Sequence, residues 1–181
     1  MSARDVRPED LHADLLDLEP VAGEPAAPSR GRRELLLATL RPATLFEGFV
    51  ERLAGFLDLP LARARDLARA VPGVARGDWV DDQVAGVRLF HFAGGPRHAS
   101  ADCGIVHVAS GARYPRHLHI GDEWSLVLAG SAVEEPTGRV WLPGDVVHSE
   151  AGSSHAYRVL GDAPFVFAVV LANGIRIEEP T

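Results

Sequence analysis

Three histidines and one glutamate stand close together late in the chain: His117, His119, Glu123 and, after a gap, His155. Neutral imidazole nitrogen and carboxylate oxygen suit zinc, iron, manganese, nickel or copper, and the lack of a thiolate removes the strongest bias toward a structural zinc knot. Side chains alternate faces along a strand, so His117 and His119 point the same way. Ile120, Gly121 and Asp122 read as a turn. Glu123 then opens an apolar run through Trp124, Leu126, Val127 and Leu128 that can pair back on the histidine strand. His155, just after Gly152-Ser153-Ser154, is placed to close the site from a distant strand. A solitary His-x-His pair is usually solvated or hydrogen-bonded. The full set, framed by Gly111, Gly130, Gly144 and Gly152, points to one bound divalent metal ion.

Other chemistry is thinner. His148 lies near the end of a strand that should approach the site, and Tyr157 shares a face with His155, so both are candidates for supporting groups behind the ligands. The alternatives are an outward-facing His148 and a Tyr157 that merely packs. His91, His98 and His107 have no partner at informative spacing and read as ordinary strand or loop histidines. Cys103 has no neighbouring Lys, Arg or second Cys to lower its pKa and reads as a small core residue. Gly94-Gly95-Pro96 is a loop and no phosphate cradle, because no helix start follows it. No Gly-x-Ser-x-Gly is present, and Ser153 and Ser154 are turn residues. No catalytic residue can be named from spacing.

The elements that position these residues change character near Trp79. Residues 1–33 read as a tail and linker: an acidic amphipathic stretch around Leu11, Leu15, Leu16 and Leu18, then a Pro, Gly and Ala-rich run from Pro20 to Arg33. Residues 34–78 are helical in pattern. Thr44 and Glu47 form a capping-box signature. Leu45, Phe46, Phe49, Val50, Leu53, Phe56 and Leu57 then recur at helical spacing. Pro60 opens a further helix with a stripe of Leu61, Ala64, Leu67, Ala68 and Val71, and Pro72-Gly73 stops it. Residues 79–181 are β in pattern, with strands expected at 87–92, 103–109, 113–119, 123–129, 139–142, 145–148, 155–160, 165–171 and 174–178. So many short strands suggest a sandwich or jelly roll.

Two segments carry a resemblance. Gly111 to Gly130, GARYPRHLHIGDEWSLVLAG, is similar to the first motif of the cupins, and Gly144 to Val159, GDVVHSEAGSSHAYRV, is similar to their second. Glu150 stands where the family has proline and Val159 where it usually has asparagine; neither position supplies a ligand. The resemblance spans about Trp79 to Ile177. It implies a mainly β cupin fold, a double-stranded β-helix or jelly-roll barrel, here with an N-terminal α-helical extension. It also implies His117, His119, Glu123 and His155 as metal ligands. Trp124 departs from the family, which often has a second carboxylate there; its indole should face away from Glu123. Within the family, the residues resemble most the cupin domain of ChrR-type anti-sigma factors. In those proteins a zinc site lies in the N-terminal domain. Residues 1–78 here contain only His12 and no cysteine, so anti-sigma activity is not implied.

Composition bounds the rest. The 181 residues carry a net charge of −7 and a single cysteine. The negative charge argues against direct nucleic-acid binding, which needs a basic patch. One cysteine excludes an internal disulfide, and no stretch reaches the roughly 20 apolar residues of a membrane helix. With no basic start and apolar run of a secretory leader, a cytoplasmic protein is expected. The expectation is therefore a metal-binding protein with a regulatory or sensing role, or alternatively a small dioxygenase or isomerase. It would hold one divalent ion, zinc foremost, with iron, manganese or nickel as alternatives. It would take a small-molecule ligand, meet a protein partner through the N-terminal region, and form a homodimer through open strand edges.

Overall fold

The computed structural model describes residues 46–71 and 79–178. The tail, the linker, residues 34–45 of the helical segment with Thr44 of the capping box, and the Pro72-Gly73 stop lie outside the described residues.

A 3-10 turn over Glu47–Phe49 leads into α1, Val50–Leu57, and α2 follows at Leu61–Ala70. Asp58 ends α1 in the left-handed conformation, with φ of 57°. Pro60 precedes α2, where a missing N–H costs little. Eleven strands follow: β1 Val80–Asp81, β2 Val87–Phe92, β3 Asp102–Val108, β4 Arg113–His119, β5 Glu123–Ala129, β6 Ser131–Glu135, β7 Val140–Trp141, β8 Val146–Ser149, β9 Ser154–Leu160, β10 Phe165–Leu171 and β11 Ile175–Ile177. They form two antiparallel sheets. One runs β1-β2-β3-β10-β5-β8 and the other β11-β4-β9-β6-β7.

Two cores follow from strand alternation. Between the sheets lie Val87, Val106, Val108, Val127, Trp141, Val159, Phe165 and Phe167. On the outer face of the six-stranded sheet, Cys103, Ile105, Leu126, Val166, Ala168 and Val170 meet Val50, Leu53, Leu57, Ala64 and Leu67 of the helices. Strands β3 and β10 are thus apolar on both faces because both faces are covered. Burial pushes the Cys103 thiol up, in keeping with a core residue. A polar clasp also holds α1 to the barrel: the Gly95 N–H donates to the Leu57 carbonyl at 2.9 Å, and Arg97 Nε to Asp58 Oδ1 at 2.9 Å. Arg97 in turn draws the Asp58 pKa below its ordinary value, chiefly through its backbone N–H.

Candidate metal centre

His117 and His119 lie on β4, Glu123 opens β5, and His155 lies on β9 directly across from His117 in the register. Two loops hold this arrangement. The turn after His119 packs so closely that a Cβ on Gly121 would sit 2.4 Å from the Ala172 carbonyl oxygen. The loop before His155 is tied to His119 by two backbone bonds, His119 N–H to Ser153 O at 3.0 Å and Gly152 N–H to His119 O at 2.8 Å. Gly152 takes φ of 82°, which suits glycine there.

The three imidazoles form a buried group able to hold a metal ion, with one nitrogen from each within 4.8 Å of the others. Their ring centroids are 4.6 to 4.9 Å apart. Glu123 Oε2 lies 3.7 Å from His119 Nδ1, and Ser125 Oγ donates to Glu123 Oε1 at 2.9 Å. His117 Nδ1 is 3.0 Å from the Pro115 carbonyl. A carbonyl only accepts, so Nδ1 carries the proton and Nε2 keeps its lone pair. His155 Nδ1 likewise faces Glu134 Oε1 at 3.1 Å.

His119 gives the clearest sign that a cation fits. It is 1% exposed, and among the described residues neither ring nitrogen has a hydrogen-bond partner. An unsatisfied buried polar group costs about 1–3 kcal/mol, and a cation accepting the ring's lone pair removes part of that penalty. Burial lowers the pKa values of His117 and His119 to about 4, and it also draws His155 below its ordinary value, so the nitrogens stay neutral as ligation requires. Burial raises Glu123 to about 7, the response of a carboxylate kept from water without a cation beside it.

A cavity of about 220 Å³ opens beside the group. Its walls include Val106, Phe167, Val169 and Leu171, and it reaches His117, Glu123, Tyr114 and Tyr157. Among the described residues its lining contains no Lys or Arg. Tyr157, singled out from the sequence, is buried and stacks on Tyr114 with ring centroids 5.2 Å apart. Burial pushes both phenols up, so they remain protonated. His148 faces the other way. It is exposed, stacks on Trp124 at 3.9 Å outside the barrel, and lies 3.5 Å from Asp122. Trp124 is 43% exposed and faces away from the site, as alternation required.

Three residues of the site escaped the sequence reading. Tyr114 stands three positions before His117, which on a regular strand puts it on the opposite face. A register shift between them turns both inward. Glu134 and Trp141 flank His155, at 3.1 Å by hydrogen bond and 5.4 Å by ring centroid. Glu134 lies on β6, a strand the sequence did not suggest; the Pro136 that ends its short run was the one available signal.

Residues 104–171 match the cupin domain family. Two antiparallel sheets around a buried histidine group agree with the cupin fold of that match. One solved structure agrees at the level of fold, and others are similar to a lesser degree. A structure of the DMSP lyases RdDddP and RnDddQII is 19% identical, with a TM-score of 0.51 over 66% of this chain and 70% of that one. An acetylacetone dioxygenase from Acinetobacter johnsonii is 14% identical, with a TM-score of 0.48 over 56% of this chain and 72% of that one. Rhodobacter sphaeroides SigE in complex with the anti-sigma ChrR gives 20% identity and a TM-score of 0.48 over 90% of this chain and 75% of that one. No curated protein matches the sequence.

Proposed function

We propose that this protein binds one divalent metal ion through His117, His119, Glu123 and His155 and acts as a metal-dependent enzyme on a small, largely apolar molecule. One observation carries this reading: His117, one of the three clustered imidazoles, and Glu123, whose Oε2 lies 3.7 Å from His119 Nδ1, both line the cavity. A bound ion supplies Lewis acidity, or redox chemistry if it is iron, manganese or nickel. The chain does the rest. Val106, Phe167, Val169 and Leu171 hold an apolar body and exclude water. Tyr114 donates from its hydroxyl to Asp82 Oδ2 at 3.3 Å, which fixes its ring against His117. A lining without Lys or Arg favours a neutral molecule over a phosphorylated one.

A regulatory, ChrR-like use is the second reading, and one feature favours it. Strands β3 and β10 present Val106 and Phe167 to the cavity core and Ile105 and Ala168 to the helices. Ligand bound on one face therefore has a direct mechanical route to the helical face a protein partner would meet.

The donor set suits zinc, iron, manganese and nickel alike, so elemental analysis comes first. About one metal per chain, lost in His117→Ala, is the expected result; a parent protein that takes up no metal sinks the reading. Azide added to the cobalt-loaded protein then separates the two uses. A changed visible spectrum reveals an open coordination position and supports the enzyme, whereas an unchanged one leaves sensing.

A further inference from the structure

Each of the three imidazoles has a different fate at its second nitrogen. His117 donates to the Pro115 carbonyl, a backbone group on its own strand. Among the described residues, His119 has no hydrogen-bond partner on either nitrogen. Of the three, His155 is the one within hydrogen-bond distance of a side-chain carboxylate, that of Glu134, whose Oε1 lies 3.1 Å from Nδ1; Glu123 Oε2 stands farther from His119 Nδ1, at 3.7 Å. The pair is shielded, with side chains 10% and 16% exposed for His155 and Glu134. The other carboxylate oxygen, Oε2, accepts a hydrogen bond from Thr137 Oγ1. Thr137 is held in turn by the Arg139 N–H, which donates to its hydroxyl at 3.2 Å. Glu134 is therefore gripped from both ends. One oxygen faces His155 and the other the turn between β6 and β7.

We propose that Glu134 is a positioning residue for the metal centre. Its carboxylate accepts a hydrogen bond from the Nδ1–H of His155 and sets the ring so that Nε2 points toward His117 and His119. It also makes His155 the most strongly donating imidazole of the three. The physical basis is general: a carboxylate behind a metal-bound histidine fixes tautomer and ring orientation and raises the basicity of the ligating nitrogen. Thr137 keeps that carboxylate in place. This inference rests on the metal-binding reading above and adds to it the hairpin β6–β7, which the cupin motifs of the sequence do not include.

The test uses the full chain with Glu134→Leu, Glu134→Gln and Thr137→Val. Zinc affinity is read by competition with a chromophoric chelator, and ligand geometry by the visible spectrum of the cobalt-loaded protein. Glu134→Leu should weaken zinc binding by about 10–100-fold and shift the cobalt bands. Glu134→Gln keeps an acceptor oxygen and should restore most of the affinity. Thr137→Val should fall between the parent and Glu134→Leu, and it settles the matter if Glu134→Leu does not fold. Zinc affinity within about twofold of the parent in both Glu134→Leu and Thr137→Val, with the cobalt spectrum unchanged, overturns the role of Glu134. If that happens while His117→Ala loses its metal, the metal site stands and only the positioning role falls. A parent that binds no zinc overturns both.

Discussion

At the scale of single residues, the ligand cluster is a set of buried titratable groups whose preferences oppose one another. His117 and His119 fall from 6.5 to about 4, and Glu123 rises from 4.5 to about 7, in each case mainly through burial. In the metal-free protein, acid between about pH 6.5 and 4 protonates these histidines in the unfolded chain and not in the folded one, which destabilises the fold. Between about pH 7 and 4.5 the folded protein keeps a proton on Glu123 that the unfolded chain has released, which works the other way. Two histidines against one glutamate, with His155 lowered too, leave the histidines ahead. Denaturant unfolding of the metal-free protein should show stability falling as the pH drops from about 6.5 to 4.5. The slope is about 1.4 kcal/mol per pH unit for each net proton; a flat or rising profile would contradict the burial of neutral imidazoles. His117, His119 and His155, which the fold brings together, were legible in the sequence: the first two stand two apart on one strand and so share a face, and the Gly152-Ser153-Ser154 turn leads into the third. Tyr114 was not, because a one-residue slip in register reverses the face of everything before it.

At the scale of elements, turns matter as much as strands. Gly121 packs on the Ala172 carbonyl, and the Ala172 N–H donates to Asp122 O at 2.9 Å, so this turn locks the spacing between His119 and Glu123 to the end of β10. Gly121→Ala places a methyl group where backbone already stands. Metal affinity measured by chelator competition should fall by about tenfold, for a stability loss of about 1–3 kcal/mol; unchanged affinity would mean the turn does not govern the ligand spacing. Most strands were readable, and 87–92, 113–119, 123–129 and 165–171 coincide with the elements observed. β6 was not, since Ser131-Ala132-Val133-Glu134-Glu135 has two adjacent charges and little apolar alternation. Its Glu134 turns inward toward His155, a contact that hydrophobic patterning has no means to register.

At the scale of the whole molecule, helices and barrel share one core across the outer face of the six-stranded sheet. Helix loss followed by circular dichroism and barrel loss followed by tryptophan fluorescence should therefore coincide in one transition. Zinc at about a thousand times its dissociation constant should raise the stability measured by both probes together by about 4 kcal/mol; separate midpoints would show that the helices unfold on their own. The helical segment was visible in the sequence from its periodic leucines, yet its docking was not, because an apolar stripe does not name the surface it covers. That docking has a consequence for the newly made chain. Phe165-Val166-Phe167-Ala168-Val169-Val170-Leu171 is a seven-residue run without a charge, a proline or a glycine, the composition that favours intermolecular cross-β association. In the native state β3 and β5 flank it and the two cores cover it. Before they do, it is the stretch most prone to pair with its copy on another molecule. Refolding yield should fall steeply as protein concentration rises, and a helical segment bound early to the back of the sheet acts as an internal guard against that association.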